Sequence, residues 1–274
     1  MISSEKILYT NNIKKDFFLY KILNLNFSTR MGIIDRIFFY LKIILALFNS
    51  FLILRKEKPN FVFGLGGYFS FPICLAAKLL NIQILLYEPN LVLGRVNKFF
   101  LSSCIKLFIN SNSIINLPNK HLKKCVVVGN ILREEIVKHE LSKKNNLSSK
   151  KTILILGGSQ GAEIFGEVIP QVILDLSKNY RINVIQQSLP KQVNEIKNLY
   201  NNNNIENYIF SFHGNIVELI SKADIAISRC GSSTIGELEF LGVPFVAIPY
   251  PFAKDNHQYQ NAIYYEKKGC CWVL

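Results

Sequence analysis

Two series of short apolar, β-rich runs alternating with helix-like runs, separated by one polar stretch, restrict this chain to very few folds. From residue 59 the first series reads NFVFGL (60–65) as a strand, SFPICLAAKLL (70–80) as a helix and IQILLYE (82–88) as a strand. A helix through residues 97–101 follows, then CIKLFI (104–109) and CVVVGN (125–130) as strands. The stretch HELSKKNNLSSKK (139–151) is polar, basic and nearly free of apolar residues, which marks a linker. The alternation then restarts: TILILGG (152–158) is a strand, AEIFGEVIPQVILDLS (162–177) a helix, RINVIQQS (181–188) a strand and KQVNEIKNLY (191–200) a helix. YIFSF (208–212), DIAIS (224–228) and PFVAIPY (244–250) complete the strands, with helices between and after them. Successive β–α–β units build parallel sheets with helices on both faces. The sequence therefore predicts an α/β protein with two Rossmann-like, doubly wound domains: residues 1–138, a linker at 139–150, and residues 151–274. In such folds ligands sit at the carboxyl ends of strands, here expected in a cleft between the domains.

An apolar share of 49% is ample for two packed cores and argues against disorder. The net charge of +13 suits anionic partners, whether nucleic acid, acidic lipid headgroups or phosphorylated metabolites, or it reflects a general use of lysine. No helix-turn-helix, RRM or zinc-finger pattern accompanies that charge, so nucleic acid is not an expected partner. The six cysteines form no CxxC pair and have no metal-ligand spacing; they read as scattered reduced thiols, and no metal or cofactor is expected. The start, MISSEKILYT, lacks the apolar core of a signal peptide.

The segment IFFYLKIILALFNSFLIL (37–54) carries a single charge, Lys42, and is long enough to span a bilayer. On a helix, Lys42, Ala46, Asn49 and Ser50 make a narrow polar or small stripe on an otherwise apolar cylinder. Arg30 and Arg36 precede it, and Arg55, Lys56 and Lys58 follow. A span and a wholly buried helix both remain open. The reading adopted is a helix partly in the core and partly docked on an anionic membrane surface, with Arg36, Phe38, Phe39 and Lys42 as the contacts.

Four constellations carry chemistry. In ILILGGSQGA (153–162) a strand runs through Gly157 and Gly158 into a helix, and Ser159 adds a hydroxyl donor. Such a turn lets the backbone approach a ligand, and the helix N-terminus favours phosphate; a plain strand–helix turn fits equally. In SRCGSSTIGELEFLGVPFVAIPY (228–250), Ser232, Ser233 and Thr234 open a helix as cap candidates and Glu237 lies one turn in. A carboxylate there can accept from two vicinal sugar hydroxyls, or merely complement the helix dipole. In YPFAKDNHQYQNA (250–262), Gln258 and Asn261 sit among amides suited to sugar hydroxyls, or begin a solvated helix. In GLGGYFSFP (64–72) and YEPN (87–90), glycines, Glu88 and Asn90 follow strand ends.

The order of these motifs resembles the MurG family of glycosyltransferases. GGYFSFP and YEPNLVLGRVNK look like that family's GGY…P and HEQN…G…NK pair, and VGNILREEI like its VGNPVR segment. GGSQGA, QQS, SRCGSSTIGELEFLGVPFVAIPYP and KDNHQYQNA follow in the family's order, so the resemblance runs from about Ile7 to Leu274. It implies the GT-B fold. It also implies an inverting hexosyltransferase that carries N-acetylglucosamine (GlcNAc) from UDP-GlcNAc to lipid I, undecaprenyl-pyrophosphoryl-MurNAc-pentapeptide, to form lipid II in peptidoglycan synthesis. Such an enzyme works peripherally at the cytoplasmic face of the bacterial inner membrane. By motif match, Ser159 would meet the phosphates or nucleotide, Arg133 would face the nucleotide, and Glu237 would bind the ribose hydroxyls. Ser232, Ser233 and Thr234 would flank the diphosphate, Gln258 and Asn261 would hold the GlcNAc hydroxyls, and Asn90 would contact the donor from the N-terminal domain.

Departures from the pattern accompany the match. The family begins with a strand and a GGTGGH loop that this sequence lacks, and it continues beyond CCWVL into further helices. Both domains are therefore expected to be incomplete, the first lacking its opening βα unit. Tyr87 and Pro89 stand where the family has His and Gln, leaving Glu88 as the expected catalytic base. A diacylglycerol glycosyltransferase of the same fold, or a non-catalytic membrane-associated remnant, are the competing functions.

Overall fold

The computed structural model describes residues 2–3, 20–21, 32–139 and 150–274; the side chains of residues 2, 3, 20, 21, 33, 34, 36 and 159–162 lie outside that description. Apart from its two end residues, the linker expected at 139–150 also lies outside the described residues. The chain divides into two compact units: Met1–Glu88 with Leu93–Gly129, and Pro89–Val92 with Asn130–Leu274.

In the first unit β1 (Ile2–Ser3) and β2 (Tyr20–Lys21) form a short parallel pair. The main sheet is β3 (Phe61–Gly64), β4 (Gln83–Glu88), β5 (Lys106–Ile109) and β6 (Cys125–Val127), parallel throughout and in chain order. Its core joins Ile84, Leu86, Leu107 and Ile109 to the small residues Cys74, Ala76 and Ala77 of α2 (Gly67–Leu79) and to Phe100 of α3 (Arg95–Phe100). The sequence places the start of α2 at Ser70. It begins three residues earlier because Gly66 and Gly67, at φ 73° and 72°, turn the chain through the left-handed region without a Cβ penalty.

Helix α1 (Ile33–Glu57) packs on α2. Phe39, Ala46, Ser50 and Leu54 are buried at helical spacing, and the Ser50 hydroxyl donates to the Ala46 carbonyl at 2.7 Å. Ala46 and Ser50 of the small or polar stripe thus face inward, Asn49 is half-buried and Lys42 exposed, while Ile37, Phe38, Tyr40, Leu41, Ile44, Leu45, Phe48 and Leu52 also stand exposed. This is the reverse of a helix on a soluble surface. It rules out the wholly buried helix and corrects one expected membrane contact. Phe39 shares the inward face with Ala46 and Ser50 and is buried, whereas Phe38 and Lys42 are exposed. The side chain of Arg36 lies outside the described residues.

The second unit opens with α4 (Glu134–Val137), then alternates: β7 (Lys151–Leu156), α5 (Gly158–Ser177), β8 (Ile182–Gln187), α6 (Val193–Asn202), β9 (Glu206–Phe210), α7 (Ile216–Lys222) and β10 (Ile225–Ser228). α8 (Ser232–Phe240), β11 (Phe245–Ala247), α9 (His257–Lys267) and β12 (Cys271–Val273) complete it. The six strands are parallel in the order β12-β11-β10-β7-β8-β9, the doubly wound arrangement. β7 explains why its sequence is apolar at consecutive positions. Ile153 and Ile155 enter one core with Phe165 and Ile169 of α5, while Leu154 and Leu156 enter the other with Leu238 and Phe245. β12 is not predicted from the sequence; three residues at a sheet edge are too short for a periodic signal.

The inward stripe of α1 is testable. Ala46→Leu overfills a position with no exposed surface and is expected to cost about 1–3 kcal/mol. Leu45→Gln, on the outward face, should change stability by less than about 0.5 kcal/mol in urea denaturation.

Candidate functional site

In a doubly wound sheet the chain switches direction between the first strand and the fourth, and the crevice there is where ligands bind. Here the switch lies between β7 and β10. β7 ends in Gly157 and Gly158, and Gly158 adopts φ 64° as it enters α5. Its N–H is met by the Gln187 side-chain oxygen at 3.2 Å, which draws the end of β8 to the same turn. Ser159 is the second residue of α5, in the first helical turn; its side chain lies outside the described residues. β10 ends in Arg229, Cys230 and Gly231, and α8 follows. Gly231 takes the N-cap position, so Ser232, Ser233 and Thr234 are the first three helical residues and not side-chain caps. The first bond of the helix is Ile235 N–H to the Gly231 carbonyl, which leaves the preceding N–H groups without helical acceptors. Two helix N-termini therefore meet at the switch point, and both favour anionic oxygen.

Glu237 lies one turn into α8, as expected, and is 3% exposed, a core position. Its carboxylate is gripped from the side by Arg133, with Nε donating to Oε1 at 2.9 Å and Nη2 to Oε2 at 3.0 Å. Burial raises the Glu237 pKa, and the Arg133 charge opposes that rise without cancelling it. The segment bearing Arg133 is itself anchored. Asn130 donates to the Tyr265 hydroxyl at 2.7 Å and lies against Gly236, where an added Cβ would come within 2.3 Å of its amide nitrogen. Asn130 and Gly236 thus let the two chain segments approach closely enough for the ion pair.

The amides of the α9 region prove more structural than expected. Gln258 Oε1 accepts the N–H groups of Cys230 (3.1 Å) and Tyr250 (2.9 Å), which fixes its orientation and leaves the Nε2 hydrogens without partners among the described residues. Asn261 is wholly buried. Its Oδ1 accepts from Leu91 N–H at 2.9 Å, and its Nδ2 donates to the Cys230 carbonyl and to Asn90 Oδ1, each at 3.1 Å. Both Nδ2 hydrogens and one Oδ1 lone pair are thus used within the protein, so Asn261 braces residues 90–91 against the β10–α8 turn. Asn90 is half-buried beside it.

Glu88 is corrected as well. It is 3% exposed in the first unit, and its Oε2 accepts from Gly94 N–H (2.8 Å) and Asn97 Nδ2 (2.9 Å). Gly94 is the N-cap of α3, so this carboxylate ties the end of β4 to a helix start. That is the work of a loop-organising residue, not of a base open to substrate. Asn97 also donates to the Tyr87 carbonyl at 3.0 Å, and its amide would crowd any Cβ at Gly66.

Arg229 is not singled out by the sequence. Its Nη1 donates to the carbonyls of Ile248 (3.2 Å) and Pro249 (3.0 Å), and its guanidinium lies over Phe165 (4.7 Å) and Tyr250 (5.6 Å). It joins the ends of β10 and β11 to α5. A charge at the carboxyl end of an apolar parallel strand is the signal that could have found it. Neighbouring Cys230 is fully buried, with its thiol pKa pushed up to about 12, so it stays protonated. Among the described residues no group of three His, Cys, Asp or Glu side chains is placed to hold a metal ion.

Residues 7–109 match the glycosyltransferase family 28 N-terminal domain and residues 152–274 its C-terminal domain. A Pelagibacter ubique protein named UDP-N-acetylglucosamine–N-acetylmuramyl-(pentapeptide) pyrophosphoryl-undecaprenol N-acetylglucosamine transferase is 42% identical over 265 residues, covering 96% of this chain and 73% of that protein. The chain belongs to the MurG family. A Rickettsia felis protein of the same name is 38% identical over 88% of this chain and 69% of its own length. The crystal structure of Acinetobacter baumannii MurG superposes with a TM-score of 0.71 at 25% identity, covering all of this chain and 75% of that one. The GT-B arrangement of two parallel-sheet α/β domains is thus shared by this MurG-family chain and a solved member of its family.

The Glu237–Arg133 pair sets two expectations for stability. Glu237→Ala removes a buried carboxylate and both its hydrogen bonds, at a cost of about 1–3 kcal/mol in chemical denaturation. Because folding raises this carboxyl's pKa, the folded state holds its proton more tightly than the unfolded chain does. The resulting contribution is fully present below the ordinary value of 4.5 and is lost as pH rises through the folded value. Wild-type stability measured against Glu237→Gln should follow that direction between pH 4 and neutrality; an opposite slope would show that Arg133 outweighs burial.

Proposed function

We infer that this chain transfers GlcNAc from UDP-GlcNAc to lipid I, forming lipid II in peptidoglycan synthesis. The carrying observation is the switch point of the second unit, where two helix N-termini meet beside a buried, arginine-held carboxylate, in a chain 42% identical to a named transferase of that specificity. On this reading the N–H groups of the α5 start and of Ser232, Ser233 and Thr234 face the diphosphate. Glu237 accepts from the ribose hydroxyls, and the Nε2 hydrogens of Gln258 reach a sugar oxygen. In the reaction an acceptor hydroxyl of MurNAc attacks the anomeric carbon as the bond to UDP breaks, with inversion. The hydroxyl proton passes to a base, and UDP leaves carrying the electron pair. Helix dipoles and unpaired N–H groups stabilise charge that develops on the leaving diphosphate, and this is where binding strength becomes rate.

The test is donor and acceptor selectivity. Calorimetry should show saturable binding of UDP-GlcNAc, and radiolabel should pass from it to lipid I but not to diacylglycerol. No saturable binding, equal use of UDP-glucose, or transfer to diacylglycerol in preference to lipid I would each defeat this assignment.

Lipid I is anchored in a bilayer, so the enzyme must work at a membrane surface. Helix α1 is the surface proposed for that contact, at the cytoplasmic face of the inner membrane. It is the one helix among the described residues that is long and apolar enough to cross a membrane, and its outward face is apolar, with Lys42, Arg55, Lys56 and Lys58 exposed along it and at its end. An apolar face with basic flanks binds an anionic interface through both terms, each basic residue adding on the order of 1 kcal/mol. Liposome flotation is expected to rise with anionic lipid and fall with salt. Phe38→Asp should weaken it while leaving the fold intact. Binding that ignores both salt and lipid charge would remove α1 docking in favour of a span.

A further inference from the structure

We propose that Arg133 is a positioning residue for nucleotide recognition: it acts through Glu237, fixing that carboxylate in its ionised form and in the plane that two vicinal ribose hydroxyls require. This rests on the reading of Glu237 as the ribose contact and extends it to a residue whose own expected role was to face the nucleotide. A carboxylate offers about four lone-pair positions. The side-on fork of Arg133 takes one on each oxygen, at 2.9 and 3.0 Å. One position per oxygen remains, and a vicinal diol needs two acceptors. The pair and the diol can therefore share the carboxylate, and neither has to displace the other.

The placement supports a holding role. Glu237 is 3% exposed, whereas the Arg133 side chain is 53% exposed, so the arginine keeps its hydration while it neutralises a carboxylate that has lost its own. Arg133 is the charged group acting on Glu237. Other ionisable groups on the surrounding elements are occupied elsewhere. On α8 and α9, Lys268 pairs with Glu239, and the Tyr265 hydroxyl accepts from Asn130. After β10, Arg229 holds the Ile248 and Pro249 carbonyls, and Cys230 is protonated. On α4, Lys138 pairs with Glu134, and Glu135 is exposed. The alternative is that Arg133 meets the phosphates directly, in which case the ribose would not feel its loss.

The experiment compares UDP with 2′,3′-dideoxy-UDP on the full chain, by calorimetry at several pH values, for the wild type, Arg133→Lys, Arg133→Gln and Glu237→Gln. Wild type should prefer UDP by about tenfold or more, the difference of charge-assisted bonds to the diol. Glu237→Gln should lose that preference at every pH. Arg133→Gln should lose it near neutrality and regain it as pH rises, because the carboxyl left without its cation must be ionised by base. Arg133→Lys, with the charge but not the fork, should show a smaller preference that does not move with pH. If Arg133→Gln weakens both ligands by the same factor and keeps the preference, the arginine serves the phosphates and the proposal is overturned. If Arg133→Gln does not fold, an unchanged preference in Arg133→Lys overturns it equally. A wild type that fails to bind UDP would instead refute the donor assignment, and one that binds both ligands alike would refute the ribose role of Glu237.

Discussion

Burial of both faces of a parallel sheet is the constraint from which the rest of this molecule follows. In the second unit the central strands give most of their apolar side chains to two apolar cores, as β7 does with Ile153 and Ile155 on one side and Leu154 and Leu156 on the other. Polar chemistry is thereby expelled from strand interiors to strand ends. Because the strands all point one way, their carboxyl ends, and the N-termini of the helices that follow, gather at one edge of the sheet. The reversal between β7 and β10 sets the α5 and α8 starts beside one crevice. A site for a phosphorylated ligand is then a consequence of winding, before any particular side chain is chosen.

Side chains at that edge divide into those that face outward and those that hold the edge together, and the second group is the larger. Gln258, Asn261 and Arg229 each spend most of their hydrogen bonds on backbone, and Asn130 donates to the Tyr265 hydroxyl. The arrangement is economical in a physical sense. Backbone N–H groups aimed at an anion work only if the turns that present them cannot relax, and an amide bridging two turns removes that freedom. Asn261, which joins residues 90–91 to the β10–α8 turn, does so from a position with no solvent exposure.

The distinction between facing and holding is not legible in the sequence. Strand and helix periods and glycine turns locate most of the longer described elements to within a few residues, because binary pattern and turn chemistry are local properties. The chemistry-bearing positions are also visible, since a polar residue just past an apolar strand lies outside both cores of the sheet and at the edge where ligands gather. Direction is not. Glu88 and Asn261 sit in motifs that invite a ligand, yet both point into the protein; Phe38 and Phe39 are neighbours, and only one faces out. A side chain's aim depends on contacts made with residues distant in sequence, such as Leu91 with Asn261, and these have no signature in a local window. Arg229 escapes a sequence reading for the complementary reason: its partners are two carbonyls and two rings, drawn from separate parts of the chain.

The pairing of Glu237 with Arg133 also resolves an electrostatic conflict that the proposed chemistry would otherwise contain. A carboxylate suits vicinal hydroxyls, but it is the wrong charge to place near a diphosphate. At about 8 Å and an effective dielectric of about 20, an unpaired carboxylate would repel each phosphate charge by on the order of 2 kcal/mol. It would repel the leaving group more strongly still as negative charge accumulates there. Bound to the guanidinium in a bidentate pair, Glu237 presents a net-neutral unit whose acceptor positions are intact. The ribose can then be recognised by a charge-assisted acceptor while the field at the phosphates is left to the two helix N-termini. Burial makes this separation workable: it strengthens the pair, excludes competing water from the remaining lone pairs, and holds the carboxylate plane still.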